Sequence, residues 1–204
     1  MKSIVHKILI ILFMFLVCSV SIKAEVKWTY IRSPKYKTEL KNEYDKIPKK
    51  AKNIYENKNL EIRVYGYNYY SNYAGVFDGK VSIESYKQSW LKSFYRRRGI
   101  NKFKSVKSLS INYAKVALIH ELGHAYDYNN GWISKNSDFV KIYKSEKTKF
   151  KKTSYYKNNM AKIKANISNS QEFFASTFSS FVRNPNDLKK YCPKTYNYFL
   201  NELY

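Results

Sequence analysis

Val116-Ala117-Leu118-Ile119-His120-Glu121-Leu122-Gly123-His124-Ala125-Tyr126-Asp127 is the stretch that decides how this chain is read. Apolar residues at 116, 118, 119, 122 and 125 have helical spacing. They predict a long helix, capped by Ser110, running through Asp127 and stopped by Asn129-Asn130-Gly131. Residues four apart share a helix face, so the imidazoles of His120 and His124 can reach one Zn²⁺ ion. Glu121, next to the first ligand, then lies beside the metal's water and can take its proton as general base. Two ordinary helical histidines with an exposed glutamate would spell the same five letters. The histidine count argues against that reading, because the chain has only 3.

The 204 residues are 44% hydrophobic and 18% aromatic, enough for one packed domain, and 6 glycines and 4 prolines are too few for a collagen-like or linker-rich chain. Met1-Lys2 and Lys7 precede Ile8 to Val20, a run of 13 almost wholly apolar residues, followed by Ser21-Ile22-Lys23-Ala24. A basic start, an apolar run short for a bilayer and a small residue behind it read as a secretory signal peptide over 1–24. A single domain over 25–204 follows. Cleavage after Ala24 takes the formal charge from +23 to +20 and removes Cys18 and His6. Cys192 is then alone, so no disulfide forms within the chain and stability rests on packing. His120 and His124 become the whole histidine supply.

Hydrolysis at zinc needs three protein ligands and one open position. A three-histidine site is excluded, which leaves Cys192 or a carboxylate. The acids after His124 are Asp127, Asp138, Glu146, Glu172, Asp187 and Glu202. Asp127 lies on the same helix face, a better place for orienting an imidazole N–H than for an independent ligand. Asp138 and Glu146 fall in a lysine-rich stretch expected to be solvated. Glu172 opens a predicted helix from Ser170 to Arg183, where Phe173, Phe174, Phe178 and Phe181 would hold it rigidly against the first helix. It is the preferred third ligand. Its other reading is a capping-box carboxylate answering Asn169.

Elsewhere, Glu39 to Asn57 has helical spacing broken at Pro48. Leu60 to Tyr65 alternates as a strand. Asp78-Gly79 between Ala74–Phe77 and Lys80–Ile83 is a hairpin signal. Residues 86–98 read as a helix, Pro185 as the stop of the Phe-rich helix, and Pro193 as the start of a last one. Strands first and helices later argue α+β.

His120-Glu121-Leu122-Gly123-His124-Ala125-Tyr126-Asp127, with Glu172-Phe173-Phe174-Ala175 48 residues after His124, resembles the catalytic domain of the anthrax lethal factor family, which includes small secreted Pro-Pro endopeptidases. The likeness takes in Gln171 to Phe181, Asn184-Pro185 and Pro193 to Tyr196, and covers about residues 60–204. It implies a zincin-like metalloprotease domain: a small N-terminal sheet lobe, a mainly helical C-terminal lobe and the active-site helix between them. It also implies a gluzincin site, with His120, His124 and Glu172 on one Zn²⁺ per chain and Glu121 as base. Two positions depart from the pattern. Ala165 stands seven residues before Glu172 where the family has an oxyanion-binding tyrosine. Tyr155 and Tyr156 are the candidate substitutes. Gln171 stands where the Pro-Pro-specific members have an acid.

Arg96-Arg97-Arg98, Lys49-Lys50-Lys52 and Lys147-Lys149-Lys151-Lys152 create positive potential that attracts polyanions. Lys/Asn/Tyr/Ile-rich usage suggests a secreted Gram-positive protein, for which an anionic cell-wall polymer or a membrane surface is the expected partner of that charge. Tyr65, Tyr67, Tyr69, Tyr70 and Tyr73 read as a strand end and substrate-facing loop, not as a base-stacking platform, so no specific nucleic acid is expected. The expectation is a monomeric, secreted zinc metalloendopeptidase acting on an extended protein or peptide substrate. The alternative is a basic surface-binding protein on a zincin fold with weak or lost catalysis.

Overall fold

The computed structural model describes residues 25–29, 31, 34–65, 75–77, 80–84, 111–161 and 167–204. The expected signal peptide, the Asp78-Gly79 turn, the 86–98 helix, Ser110, the Arg96–Arg98 run, Ala165 and most of the tyrosine cluster lie outside those residues.

The first strand, β1 (Lys27–Thr29), runs parallel to β2 (Glu61–Tyr65), with Trp28 opposite Ile62. Between them the chain crosses through α1 (Pro34–Tyr44) and α2 (Lys49–Asn57). The separation falls at Pro48, whose ring disfavours helix in the residue before it. Leu40 and Tyr44 of α1 and Ala51 and Tyr55 of α2 are buried at four-residue intervals, one apolar stripe per helix. After α2, Asn59 takes a left-handed turn (φ 49°), and the Leu60 N–H bonds the Tyr55 carbonyl at 2.9 Å, launching β2. The hairpin signal is realised as β3 (Gly75–Phe77) antiparallel to β4 (Val81–Glu84), with Val76 opposite Ser82. β4 is also parallel to β2, so among the described residues the sheet order is β1-β2-β4-β3 and β3 is an edge.

The long helix is α3 (Ile111–Asn129). Val116, Ala117, Leu118, Ile119, Leu122, Ala125 and Tyr126 are all buried, as suits a helix packed on several sides. It packs against β3 and β4 and, most extensively, against α5. Gly131 (φ 74°) and Trp132 (φ 62°) turn the chain left-handed after it. A 3₁₀ turn (Ile133–Lys135) leads into α4 (Ser137–Lys152), and a π-helical turn (Tyr156–Met160) follows. Then come α5 (Ser170–Arg183), α6 (Pro185–Tyr191) and α7 (Pro193–Leu203). Pro185 therefore ends one helix and begins another.

The helical lobe is cemented by rings: Phe174 meets Phe139 and Phe199 edge-on, each at 5.1 Å, and Tyr126 stacks on Phe178 at 5.9 Å. Glu146 overturns its expected place in solvent. It is buried, and its carboxylate accepts the Lys194 N–H at 3.1 Å, the Thr195 N–H at 2.9 Å and the Thr195 hydroxyl at 2.7 Å. A buried carboxylate there satisfies free amides and the positive end of α7. Asp138 is exposed, as expected.

Candidate metal centre

Two helices build the site. On α3, His120 and His124 stand one turn apart with ring centroids 4.8 Å apart and planes at 90°. On α5, Glu172 sits in the first turn, its backbone N–H bonded to the Asn169 side chain at 2.8 Å. The Asn169 half of the capping box thus forms. The carboxylate does not turn back to Asn169 but faces the imidazoles: Oε2 lies 3.4 Å from His120 Nε2, and Oε1 lies 3.4 Å from His124 Nε2.

Those separations suit a tetrahedral ion. Ligand bonds of about 2.0–2.1 Å at tetrahedral angles put donor atoms about 3.3 Å apart. His120, His124 and Glu172 are a group of potential metal ligands among the described residues, all donor atoms within 4.8 Å of one another. Burial opposes ionisation of Glu172, but hydrogen bonds and charges from both imidazoles outweigh it and hold its carboxyl far below the usual range. Burial likewise disfavours a charged His124, and the Glu172 hydrogen bond with the charges of Glu121, Glu172 and Asp127 overcomes it, raising the imidazole. Glu121 is 6% exposed, and burial pushes its carboxyl up, against the pull of both imidazoles. A carboxyl raised toward neutrality suits a group that takes and returns a proton.

The helices meet at a glycine. A Cβ on Gly123 would lie 2.9 Å from Ala175 Cα and 3.2 Å from the Ala175 carbonyl oxygen, so only a bare backbone fits. Ala175 is three residues after Glu172, and this contact sets how near the carboxylate comes to the imidazoles. The Tyr55 hydroxyl, from α2, donates to the Leu122 carbonyl at 2.7 Å and fixes the same stretch of α3.

Asp127 does not orient an imidazole. Its carboxylate is fully buried and accepts the Ser134 N–H at 2.7 Å and the Ser134 hydroxyl at 2.6 Å, so it braces the turn after α3 and reaches His124 only through its charge. The polar group beside a ring nitrogen is Ser176, whose hydroxyl lies 3.4 Å from His120 Nδ1. Sequence reading missed it; the signal was its position one turn after Glu172. Ser176→Ala is expected to weaken metal affinity about tenfold. Ser180→Ala, one turn further and deleting a buried hydroxyl without a partner, should leave affinity unchanged in the same chelator competition.

Tyr155 does not serve as expected. Tyr155 is buried, its hydroxyl 2.8 Å from Ser179, which lies seven residues, or about 10 Å of helix rise, beyond Glu172. The half-buried Tyr156 ring rests on Phe150 at 5.6 Å. Cys192 is buried, with burial pushing its thiol up to about 12, and is not in the metal-facing group. Cys192→Ser should therefore keep stoichiometric metal, and metal loss in that variant would remove Glu172 from the ligand role.

An α+β chain with an edge strand beside a helix bearing H-E-x-x-H, and a glutamate from a second helix facing both histidines, defines a zincin-like protein. A sequence model described as anthrax toxin lethal factor, N- and C-terminal domain, matches residues 33–202, and the chain belongs to that family of metalloproteases. Among solved structures it is similar in fold to the Pro-Pro endopeptidase PPEP-2 from Paenibacillus alvei. The TM-score is 0.58 at 18% identity, over 88% of this chain and 97% of that one. No curated protein matches it in sequence.

Proposed function

We propose that the chain is a secreted zinc endopeptidase that cuts extended peptide segments, the zinc held by His120, His124 and Glu172. The observation that carries this reading is the pair of 3.4 Å separations between Glu172 and the two Nε2 atoms, with buried Glu121 adjoining His120 on the same helix. When bound, zinc supplies Lewis acidity toward the scissile carbonyl and a water acidic enough to ionise near neutral pH. Glu121, buried beside His120, would hold the proton taken up during hydrolysis on its carboxylate and return it to the leaving amine. β3, unpaired on its outer side among the described residues, offers backbone groups with which an extended substrate can pair, delivering its carbonyl over α3. With Gln171 before the ligand, the Pro-Pro preference named for the structural neighbour is not assumed for this chain.

Digestion of a diverse peptide library by the zinc-loaded protein, with Glu121→Ala as control, tests the reading. Cleavage in the wild type alone supports it; a wild type as inert as the control rejects it. Secretion predicts a separate result. The exported protein should begin at Glu25, and N-terminal sequencing that finds Met1 on a membrane-bound product would overturn the processing.

A further inference from the structure

The surface around the C-terminal half of α4 carries more positive charge than its surroundings balance. Lys144, Lys149, Lys151 and Lys152 of α4, Lys190 of α6 and Lys194 of α7 are exposed, and among the described residues none has an ion-pair partner. They share one region. Glu146 of α4 holds the backbone of Lys194, and the Lys149 charge reaches the Cys192 thiol between α6 and α7. Asp187 of α6 accepts the Tyr155 N–H at 2.9 Å, just beyond the end of α4.

The acids nearby have internal work. Glu146 is buried under α7, and Asp187 takes the Tyr155 amide and the Ser154 hydroxyl. The C-termini of α4 and α6 add about half a negative charge each. Six ammonium groups exceed these two carboxylates and two helix ends by about three charges. Ordinary capping of helix ends by lysine accounts for only part of the excess.

We propose that this face docks a linear polyphosphodiester without bases, an extended chain of phosphate charges joined by uncharged links. Lysine ammonium groups on flexible stems suit a string of point charges that needs no bidentate fork, and Arg183 is already committed to Glu43 at 2.7 Å. A lipid surface would call for apolar groups to insert. Tyr191, 37% exposed, is the large hydrophobic residue exposed among these lysines, and Lys190 covers its ring at 5.2 Å. Reading of bases would call for open ring faces, and Lys189 sits over Tyr196 at 5.6 Å. The proposal does not depend on peptidase activity.

The test compares two variants with equal loss of charge, both substituted only at exposed lysines. One replaces Lys144, Lys149, Lys151 and Lys190 by Gln; the other replaces Lys37, Lys41, Lys49 and Lys58 on α1 and α2 and just after α2. Binding of a poly(glycerol phosphate) chain, phosphodiesters joined by uncharged links and carrying no bases, is measured across about 50–200 mM salt. The face variant should lose about tenfold or more in affinity with a shallower salt slope, and the remote variant about threefold at most. Equal losses would assign the binding to net charge and overturn the proposal. So would tighter binding to phosphatidylglycerol vesicles, or to single-stranded DNA with its added bases, than to poly(glycerol phosphate) when the face variant abolishes that binding too.

Discussion

Glu121→Ala is expected to hold its metal at wild-type stoichiometry while hydrolysis falls by about 10²–10⁴, and Glu172→Ala is expected to lose both. The difference follows from where the two carboxylates sit. Glu121 stands beside the metal-facing group without belonging to it, and Glu172 has an oxygen 3.4 Å from each Nε2. Metal that stabilises the fold by mass action contributes about 2.7 kcal/mol when free ion exceeds Kd about 100-fold. Chelator should therefore lower the melting temperature of wild type and Glu121→Ala and barely move that of Glu172→Ala. Loss of the helix cap does not confound this comparison. Asn169 receives the backbone N–H of residue 172, which alanine retains, so α5 keeps its start. Nor should Glu121→Ala melt early, because burial already disfavours the charged carboxylate it removes. Stoichiometric zinc in Glu172→Ala would reject the ligand assignment, whatever its activity.

The parts of this molecule that were legible in the sequence are those whose causes are local. Asn169 and Pro185 bracket the Phe-rich helix at Ser170–Arg183, and His120 and His124 needed only the helical period to share a face. What was misread has its cause across space. Glu146 sits among lysines in sequence, yet it follows Phe139 by seven residues and Tyr143 by three, on the buried stripe of α4 beneath the end of α7. The stripe was visible; the unsatisfied amides of Lys194 and Thr195 that it answers were not. Tyr155 was chosen by residue type, and its hydroxyl is spent on Ser179 in the interior. β1 went unread because three residues carry too short a pattern, and only pairing with β2 makes them a strand.

Gly123→Ala is expected to cost about 1–3 kcal/mol of stability and to weaken metal binding with it. The added methyl would meet backbone on α5, Ala175 Cα at 2.9 Å, with Phe178 Cβ at 3.2 Å, so no side-chain rotation relieves the contact. Either α5 moves away or α3 bends. Three residues separate Ala175 from Glu172, and a rigid helix that shifts at one carries the other with it. A ligand set tolerates about 0.5 Å of displacement before it stops matching its ion. The loss at the site should thus accompany the loss of packing, although residue 123 touches no metal. Gly131→Ala separates this from generic glycine strain. Gly131 has φ 74° with nothing within 4 Å of its added Cβ. Left-handed strain there costs about 1–2 kcal/mol and leaves both helices in place. Melting curves should show both variants destabilised, while chelator competition shows weakened metal only in Gly123→Ala. Unchanged metal affinity in Gly123→Ala would mean that the α3–α5 approach does not set the geometry of the centre.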